Sequence, residues 1–425
     1  MNRFVFKSYI FDSVNLRATF DYSFEDGRNF REVVEFADAS EDYNRVVLDK
    51  AMQLAFIIIG TSYYKTFPTN SVKLELPLDA WQSDFFNHVY HAGLGQFAFE
   101  NNLTLSDLAN FTATSDISST PADYRGNEGI LALQSGGKDS LLTAELLEKN
   151  NLAFESVYVS SGENHPDFLN SVGEKLHIIK RNIDRQALSE AEVDGAMNGH
   201  VPVTYIVQTI ALLQAILLNK NIILTSIAHE GEEPHAVLNG VPITHQWSKT
   251  YAAEQDFASF VVKYIAADIK IGSLLRGFSE LRVAELFVKY AWPKYGHLFS
   301  SCNVANYKQG SDNRKLKWCA DCPKCANSYL LFAPFLSASE LKEIFGGQDL
   351  FAKGSLADDF KGLLGIDDTM KPFECIGEIA ELRLAYQLAQ NRGDYATLPF
   401  DIPKEDYDYN TSYPSQGWTK DLVEF

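Results

Sequence analysis

The stretch Gly129-Ile-Leu-Ala-Leu-Gln-Ser-Gly-Gly-Lys-Asp-Ser-Leu-Leu-Thr-Ala-Glu-Leu-Leu-Glu-Lys149 decides how the chain is read. Residues 130–133 form a short apolar run, the pattern of a buried strand. Ser135, Gly136, Gly137, Lys138, Asp139 and Ser140 then compress into a turn, and Leu142, Leu146 and Leu147 follow at helical spacing. Two adjacent glycines let successive backbone N–H groups converge into a nest for anionic oxygens. A helix starting at that turn adds its positive dipole end. The Ser135 and Ser140 hydroxyls and the Lys138 ammonium add donors to the same place. These are the parts of a phosphate site. The spacing is not that of the Walker loop, which has four residues between its first glycine and a later Gly-Lys pair.

At 425 residues the chain exceeds one ordinary core and is expected to form about two or three domains. Hydrophobic residues at 46% and charged residues at 22% describe a soluble globular protein. The amino terminus has no basic region leading into an apolar one, so no signal peptide is read and the protein is placed in the cytoplasm. Residues 201–218 carry no charge, but they include Gln208 and Gln214 and fall between two expected strands. They are read as a buried helix rather than a membrane span. The net charge of −19 opposes a polyanion such as nucleic acid as partner and favours a small substrate in a local pocket.

The first residues alternate, with Phe4, Phe6, Tyr9 and Phe11, then Ala18, Phe20, Tyr22 and Phe24 ahead of Glu25-Asp26-Gly27. Asp-Gly between apolar runs marks a hairpin, so an antiparallel sheet of about three strands is expected. Residues 41–59 read as a helix ending at Gly60, 72–76 as a strand, and 79–100 as a long helix interrupted near Gly93 and Gly95. Residues 1–125 are expected to form an α+β domain. From Gly129 the rhythm becomes strand, helix, strand, with candidate strands at 130–133, 157–159, 177–180 and 222–225. That alternation implies an α/β domain, 126–300, built on a parallel sheet covered on both faces. Ligands in such sheets collect beyond the carboxyl ends of the strands.

The fourth of those ends opens a loop with His229, Glu230, Glu232, Glu233 and His235, followed by His245 and Lys249. It is open to two readings, a solvated acidic loop or a metal site or proton relay. His245 and Lys249 lie in the more aromatic, less charged part and are the better candidates. His200, before the apolar run, is read as a helix cap.

Residues 301–425 form a cysteine-bearing, helical region. Cys302, Cys319, Cys322 and Cys325 have the spacing of a tetrahedral four-cysteine zinc site, and the same rhythm also serves iron–sulfur clusters. Cys375, near an expected helix start at 372–383, reads either as a small buried hydrophobe or as a reactive thiol.

The string Ser135 to Ser140, between strand and helix, resembles the PP-loop of the ATP pyrophosphatase superfamily. That resemblance implies an adenine nucleotide alpha hydrolase-like parallel-sheet domain. ATP is then the co-substrate across the first two strand ends, the second of which carries Ser160, and Asp139 helps to place Mg²⁺. The 7-cyano-7-deazaguanine synthases, also PP-loop enzymes, carry a similar cysteine cluster, which favours structural zinc.

Further strings single out one branch. Ser62-Tyr63-Tyr64-Lys65, His91-Ala92-Gly93-Leu94-Gly95-Gln96, His200-Val201-Pro202-Val203-Thr204, His245-Gln246-Trp247-Ser248-Lys249 and Phe373-Glu374-Cys375-Ile376-Gly377-Glu378 resemble the UDP-N-acetylmuramoyl-L-alanyl-L-glutamate epimerase family. The resemblance spans nearly the whole chain and departs at 227–240, where those relatives are richer in Asn and Ser. It implies ATP- and Mg²⁺-dependent inversion of the terminal L-Glu of UDP-MurNAc-L-Ala-L-Glu, a step in cell-wall precursor synthesis, with AMP and diphosphate as products. Lys138 and Asp139 serve adenylation in that reading. The proton-transfer pair is open between Cys375 with His245, Cys375 with Lys249, and histidines alone. The alternative activity is an amide- or nitrile-forming ligase using ammonia, and the alternative without chemistry is an ATP-binding module.

Overall fold

Strict alternation at the amino terminus produces β1 (Phe4–Asp12), β2 (Arg17–Phe24) and β3 (Asn29–Glu35), an antiparallel meander turned at Gly27. The computed structural model describes residues 2–116, 118–162, 164–307, 312–396 and 398–424. Phe4, Phe6, Phe20, Tyr22 and Phe24 point to one face and are buried, as a period of two requires. The helix Arg45–Ile59 follows, with the Asn44 side chain accepting from the Val46 and Val47 amides. That cap starts the helix four residues later than the sequence reading. Strand β4 (Val72–Lys73) is a brief parallel pairing with β1, shorter than the expected 72–76. The expected long helix is two helices, Ala80–His91 and Gly95–Glu100. A side chain at Gly93 between them would run into the Val89 carbonyl.

The strand–helix rhythm then yields β5 (Asn127–Leu133), β6 (Phe154–Ser160), β7 (Leu176–Asn182) and β8 (Lys220–Thr225), matching the four expected strands. Two further pieces escape the sequence reading. A small hairpin of β9 (Ala236–Leu238) and β10 (Val241–Ile243) folds within the histidine-rich loop. Strand β11 (Lys270–Ser273) adds a fifth parallel member beside β8. The order β11-β8-β5-β6-β7-β3-β2-β1-β4 makes one nine-stranded, mostly parallel sheet among the described residues.

Strand β5 shows why both faces are covered. Leu131 joins the apolar cluster beneath the helices Arg45–Ile59 and Val203–Leu217, while Ile130 and Ala132 join the opposite cluster with the helices Lys138–Lys149, Pro323–Phe332 and Ile379–Arg392. The apolar run at 201–218 is the helix Val203–Leu217, with Tyr205 to Leu217 largely buried. The span Arg45–Tyr64 is long and apolar enough to cross a membrane by length and composition, and 78% of its most apolar window is buried inside the protein.

The meander joins the parallel strands where β3 pairs antiparallel with β7, Val34 opposite Arg181. That seam carries a buried ion pair, Arg181 Nε to Glu32 Oε1 at 2.6 Å, and Arg181 Nη2 also donates to Ser62 Oγ at 2.8 Å. Removing one partner of such a pair leaves a buried charge uncompensated. Glu32→Gln is expected to cost about 3–5 kcal/mol of stability, measured by urea unfolding, and replacing both residues by methionine should cost less than Glu32→Gln alone.

After Ile379–Arg392 the chain runs back over the sheet's β11 edge. Gln416 Nε2 donates to the Ile271 carbonyl at 2.9 Å. Asn150, at the end of the Lys138–Lys149 helix, exchanges bonds with Glu424, Nδ2 to O at 3.0 Å and N to Oδ1 at 2.9 Å.

Candidate active site

The turn after β5 takes the shape its glycines permit. Gly136 has φ +78°, and Gly137 is extended and starts the helix Lys138–Lys149. The two serines brace the turn: Gly137 N donates to Ser135 Oγ at 3.3 Å, and Ser135 N to Ser140 Oγ at 3.2 Å. A Cβ at Gly136 would lie 2.5 Å from Leu316 Cδ1 in a left-handed backbone. Gly136→Ala is therefore expected to cost at least about 1–2 kcal/mol from backbone strain alone, read by urea unfolding.

Beyond the carboxyl ends of β5, β6 and β8 lies a cleft of about 420 Å³. Of the sequence candidates, Ser135, Gly137, Asp139, Ser140, Lys249 and Cys375 line it. Tyr158, Thr204, Gln246 and Tyr307 line it as well. Gln246 sits at φ +54°, a conformation that swings the chain between His245 and Lys249.

Gly136, Lys138, Ser160 and His245 are not among the lining residues. Lys138 turns under the loop, its Nζ 2.6 Å from Asp139 Oδ1 and 2.5 Å from Glu280 Oε2. Burial opposes its charge, but Asp139 and Glu280 outweigh burial and hold it firmly protonated. Burial pushes the Glu280 carboxyl up to about 7 against the pull of Lys138, and its Oε1 has no hydrogen-bond partner among the described residues. Ser160 Oγ donates to the Gly162 carbonyl at 2.9 Å, bracing its own loop.

His245 belongs to a cluster beside the cleft. Its Nδ1 is 2.6 Å from Gln96 Oε1, and the His200 and His235 rings lie 4.9 and 6.1 Å away. Burial, then His200 and His235, push His245 down to about 2. Burial with Lys65 and Lys249 takes His200 to about 4, and burial with Lys371 takes His235 to about 4. All three rings are neutral at pH 7. His200 does not cap the helix Val203–Leu217, whose start has no side-chain cap.

The reading of a solvated acidic loop does not hold for these glutamates. Glu230 is buried and accepts from Lys249 Nζ at 3.2 Å, Glu232 accepts from the Tyr251 amide at 2.6 Å, and Glu233 pairs with Lys371. His229 Nε2 lies 3.3 Å from Glu378 Oε1. Burial works against the Lys249 charge, and Cys375, Glu230 and Asp139 overcome it, so Lys249 stays cationic. Burial pushes the Cys375 thiol up, while Lys249 and Lys324 draw it back toward the thiolate. The expected helix start at 372–383 is corrected to Ile379, where Glu378 and Glu381 form a capping box. Cys375 thus sits on an irregular strap rather than a helix.

The four cysteines meet as their spacing predicts. Their Sγ atoms all lie within 4.8 Å of one another, with Cys302–Cys322 at 3.8 Å, Cys319–Cys325 at 3.7 Å and Cys322–Cys325 at 3.5 Å. Metal–sulfur arms of about 2.3 Å at tetrahedral angles give edges of about 3.8 Å, so a metal ion fits. The Ala305 and Asp321 amides donate to Cys302 and Cys319 Sγ at 3.4 Å each. The centre packs directly on the glycine turn: Ser300 N donates to the Gly136 carbonyl at 3.2 Å, and Ser300, Ser301, Asn303 and Lys324 line the cleft. Sequence reasoning passed over Lys324. The available signal was its place between two ligands, Cys322 and Cys325.

The family described as the MurL N-terminal domain matches residues 1–274, and the MurL C-terminal domain matches residues 298–402. A protein of a Micromonospora species named UDP-N-acetyl-alpha-D-muramoyl-L-alanyl-L-glutamate epimerase is 32% identical over 94% of this chain and 89% of its own length. Proteins of the same name from Salinispora tropica and Xanthomonas oryzae pv. oryzae are 31% identical, over 94% and 87%, and 32% identical, over 89% and 83%.

Proposed function

We propose, from the premise that this chain belongs to the MurL family, that it inverts the terminal L-Glu of UDP-MurNAc-L-Ala-L-Glu to D-Glu at the expense of ATP. The observation that carries this reading is the convergence of the Ser135–Ser140 turn, Asp139, Lys249 and Cys375 on one cleft. A carboxylate beside an α-C–H opposes carbanion formation through its own charge. Joining it to AMP removes that charge and turns the carbonyl into an electron sink.

The turn is assigned as a PP-loop. Its N–H groups and the start of the helix Lys138–Lys149 would receive the ATP phosphates; Asp139, which lines the cleft, would hold Mg²⁺, and that ion would supply charge neutralisation for the departing diphosphate. Lys138 acts from beneath, fixing the Asp139 carboxylate. The substrate α-carboxylate oxygen attacks the α-phosphorus, the bond to diphosphate breaks, and an acyl-adenylate remains. As its thiolate, Cys375 removes the α-proton, and the C–H electron pair moves into the activated carbonyl; burial of the thiol opposes that ionised form, and Lys249 and Lys324 favour it. The Lys249 ammonium returns a proton to the opposite face, and water at the acyl carbon releases AMP. His245 is left out of proton transfer because it faces Gln96 and lies off the cleft. The four-cysteine centre is assigned to structural zinc, and the cytoplasm, where ATP and nucleotide-linked precursors are made, is the proposed compartment.

The test is diphosphate release from ATP and Mg²⁺ with UDP-MurNAc-L-Ala-L-Glu, followed by chiral analysis of glutamate after acid hydrolysis. D-Glu formed only with ATP is the expected result. Diphosphate released instead with another carboxylic acid and ammonia overturns the epimerase reading in favour of a ligase. Labelled γ-carboxylate oxygen appearing in AMP would overturn activation at the α-carboxylate.

A further inference from the structure

An adenylated glutamyl residue keeps one carboxylate free, and a cleft that holds it needs a cation whose charge is not already matched. Lys138 is matched by Asp139 and Glu280, and Lys249 by Glu230. Lys324 is different. It lines the cleft, its Nζ donates to the neutral Cys375 carbonyl, and among the described residues no carboxylate lies within ion-pair distance, although its charge acts at longer range on the buried Glu230 and Glu280. A half-buried ammonium facing a cleft with no direct ion pair can take one from an incoming anion, because such a charge is stabilised chiefly by close pairing.

The residue is also held more firmly than a surface lysine. It occupies the first turn of the helix Pro323–Phe332, between the ligand positions Cys322 and Cys325. Asn327, one turn on, accepts from the Gly377 amide at 3.1 Å and ties this helix to the strap that carries Cys375. The four-cysteine centre therefore sets where the ammonium stands relative to the thiol.

We propose that Lys324 receives the side-chain carboxylate of the substrate's terminal glutamate and so fixes its α-carbon beside Cys375. This inference rests on the epimerase reading. It makes Lys324 a substrate-holding and specificity-determining residue, and it gives the cysteine centre a task in recognition beyond stabilising the fold.

The experiment measures binding of UDP-MurNAc-L-Ala-L-Glu and of its L-Gln analogue by calorimetry without ATP, together with the KM for each substrate in turnover. The wild-type chain should bind the Glu compound roughly 10–100-fold more tightly than the Gln compound, the worth of one charge-assisted hydrogen bond. Lys324→Met should bind both alike, raise the KM for the dipeptide by a similar factor and leave the KM for ATP within about twofold. Lys324→Arg should restore part of the preference. Metal content per chain and the thermal midpoint are measured alongside, to separate recognition from loss of the centre.

A Lys324→Met chain that keeps the full preference for Glu overturns the proposal. So does one in which only the KM for ATP rises, since the cation then serves phosphate. Should that variant fail to fold, equal binding of Glu and Gln compounds by the wild-type chain overturns it as well. A wild-type chain that binds and turns over neither compound sinks the epimerase reading itself, a different result from an active enzyme indifferent to Lys324.

Discussion

Cys375→Ala is expected to separate the two halves of the reaction. Adenylation depends on the Ser135–Ser140 turn and Asp139, which the substitution does not touch, so diphosphate release should persist. Proton transfer depends on the thiol. Loss of a positioned acid–base group lowers rate by about 10²–10⁴, and D-Glu formation should fall by that factor. The same variant should stop incorporating solvent deuterium at the α-carbon while still consuming ATP. The comparison is informative because Cys375 lies on an irregular strap: removing one sulfur leaves no helix interrupted and no metal ligand missing. Undiminished epimerisation by Cys375→Ala ends the thiol assignment and moves attention to Lys249 and the neutral histidines.

Cys325→Ser carries the second large effect. Cys325 is fully buried in the apolar cluster that joins the helices Pro323–Phe332 and Ile379–Arg392 to the sheet. Structural zinc sites contribute about 10–16 kcal/mol of apparent binding energy in small peptides, comparable to the whole stability of a domain, roughly 5–15 kcal/mol. The variant should purify with far less metal than the wild type, lose its cooperative thermal transition and expose residues 301–425 to protease. Turnover should vanish with it, because Ser300, Ser301, Asn303 and Lys324 reach the cleft from this centre. A metal-free Cys325→Ser chain with a native midpoint and full turnover would show that the cysteine cluster is dispensable.

What the sequence disclosed follows how local each signal is. The turn at Gly136-Gly137, the four parallel strands and the cysteine tetrad each depend on residues close in the chain or on one chemical type, and all three are where the pattern put them. The lost pieces are set by distant partners. Nothing local in Asn29–Glu35 announces that β3 will bond to β7, because the Glu32–Arg181 pair joins residues 149 positions apart. The short run Lys270–Ser273 reads as a strand only once β8 lies beside it. The motif read along the chain makes Lys138 a phosphate ligand, and nothing in it announces Glu280, 142 positions later, whose carboxylate accepts from the lysine beneath the loop. Nothing local to His245 announces Gln96 or the His200 and His235 rings that lie against it. Burial of the long apolar helix Val203–Leu217 is legible because it is written in the helix's own composition.

The clasp between Asn150 and Glu424 bears on how the protein is made. Translation delivers β1, β2 and β3 first, and β3 then waits with an open edge until β7 leaves the ribosome. Such an edge is a template for pairing with other chains. The far end of the helix that begins at the glycine turn is held twice by the Asn150 amide, which donates to the Leu146 carbonyl at 2.8 Å within the helix and to the Glu424 carbonyl 274 positions later. Lower temperature during synthesis is expected to raise the soluble fraction, because β7 can then pair with the β3 edge before another chain does.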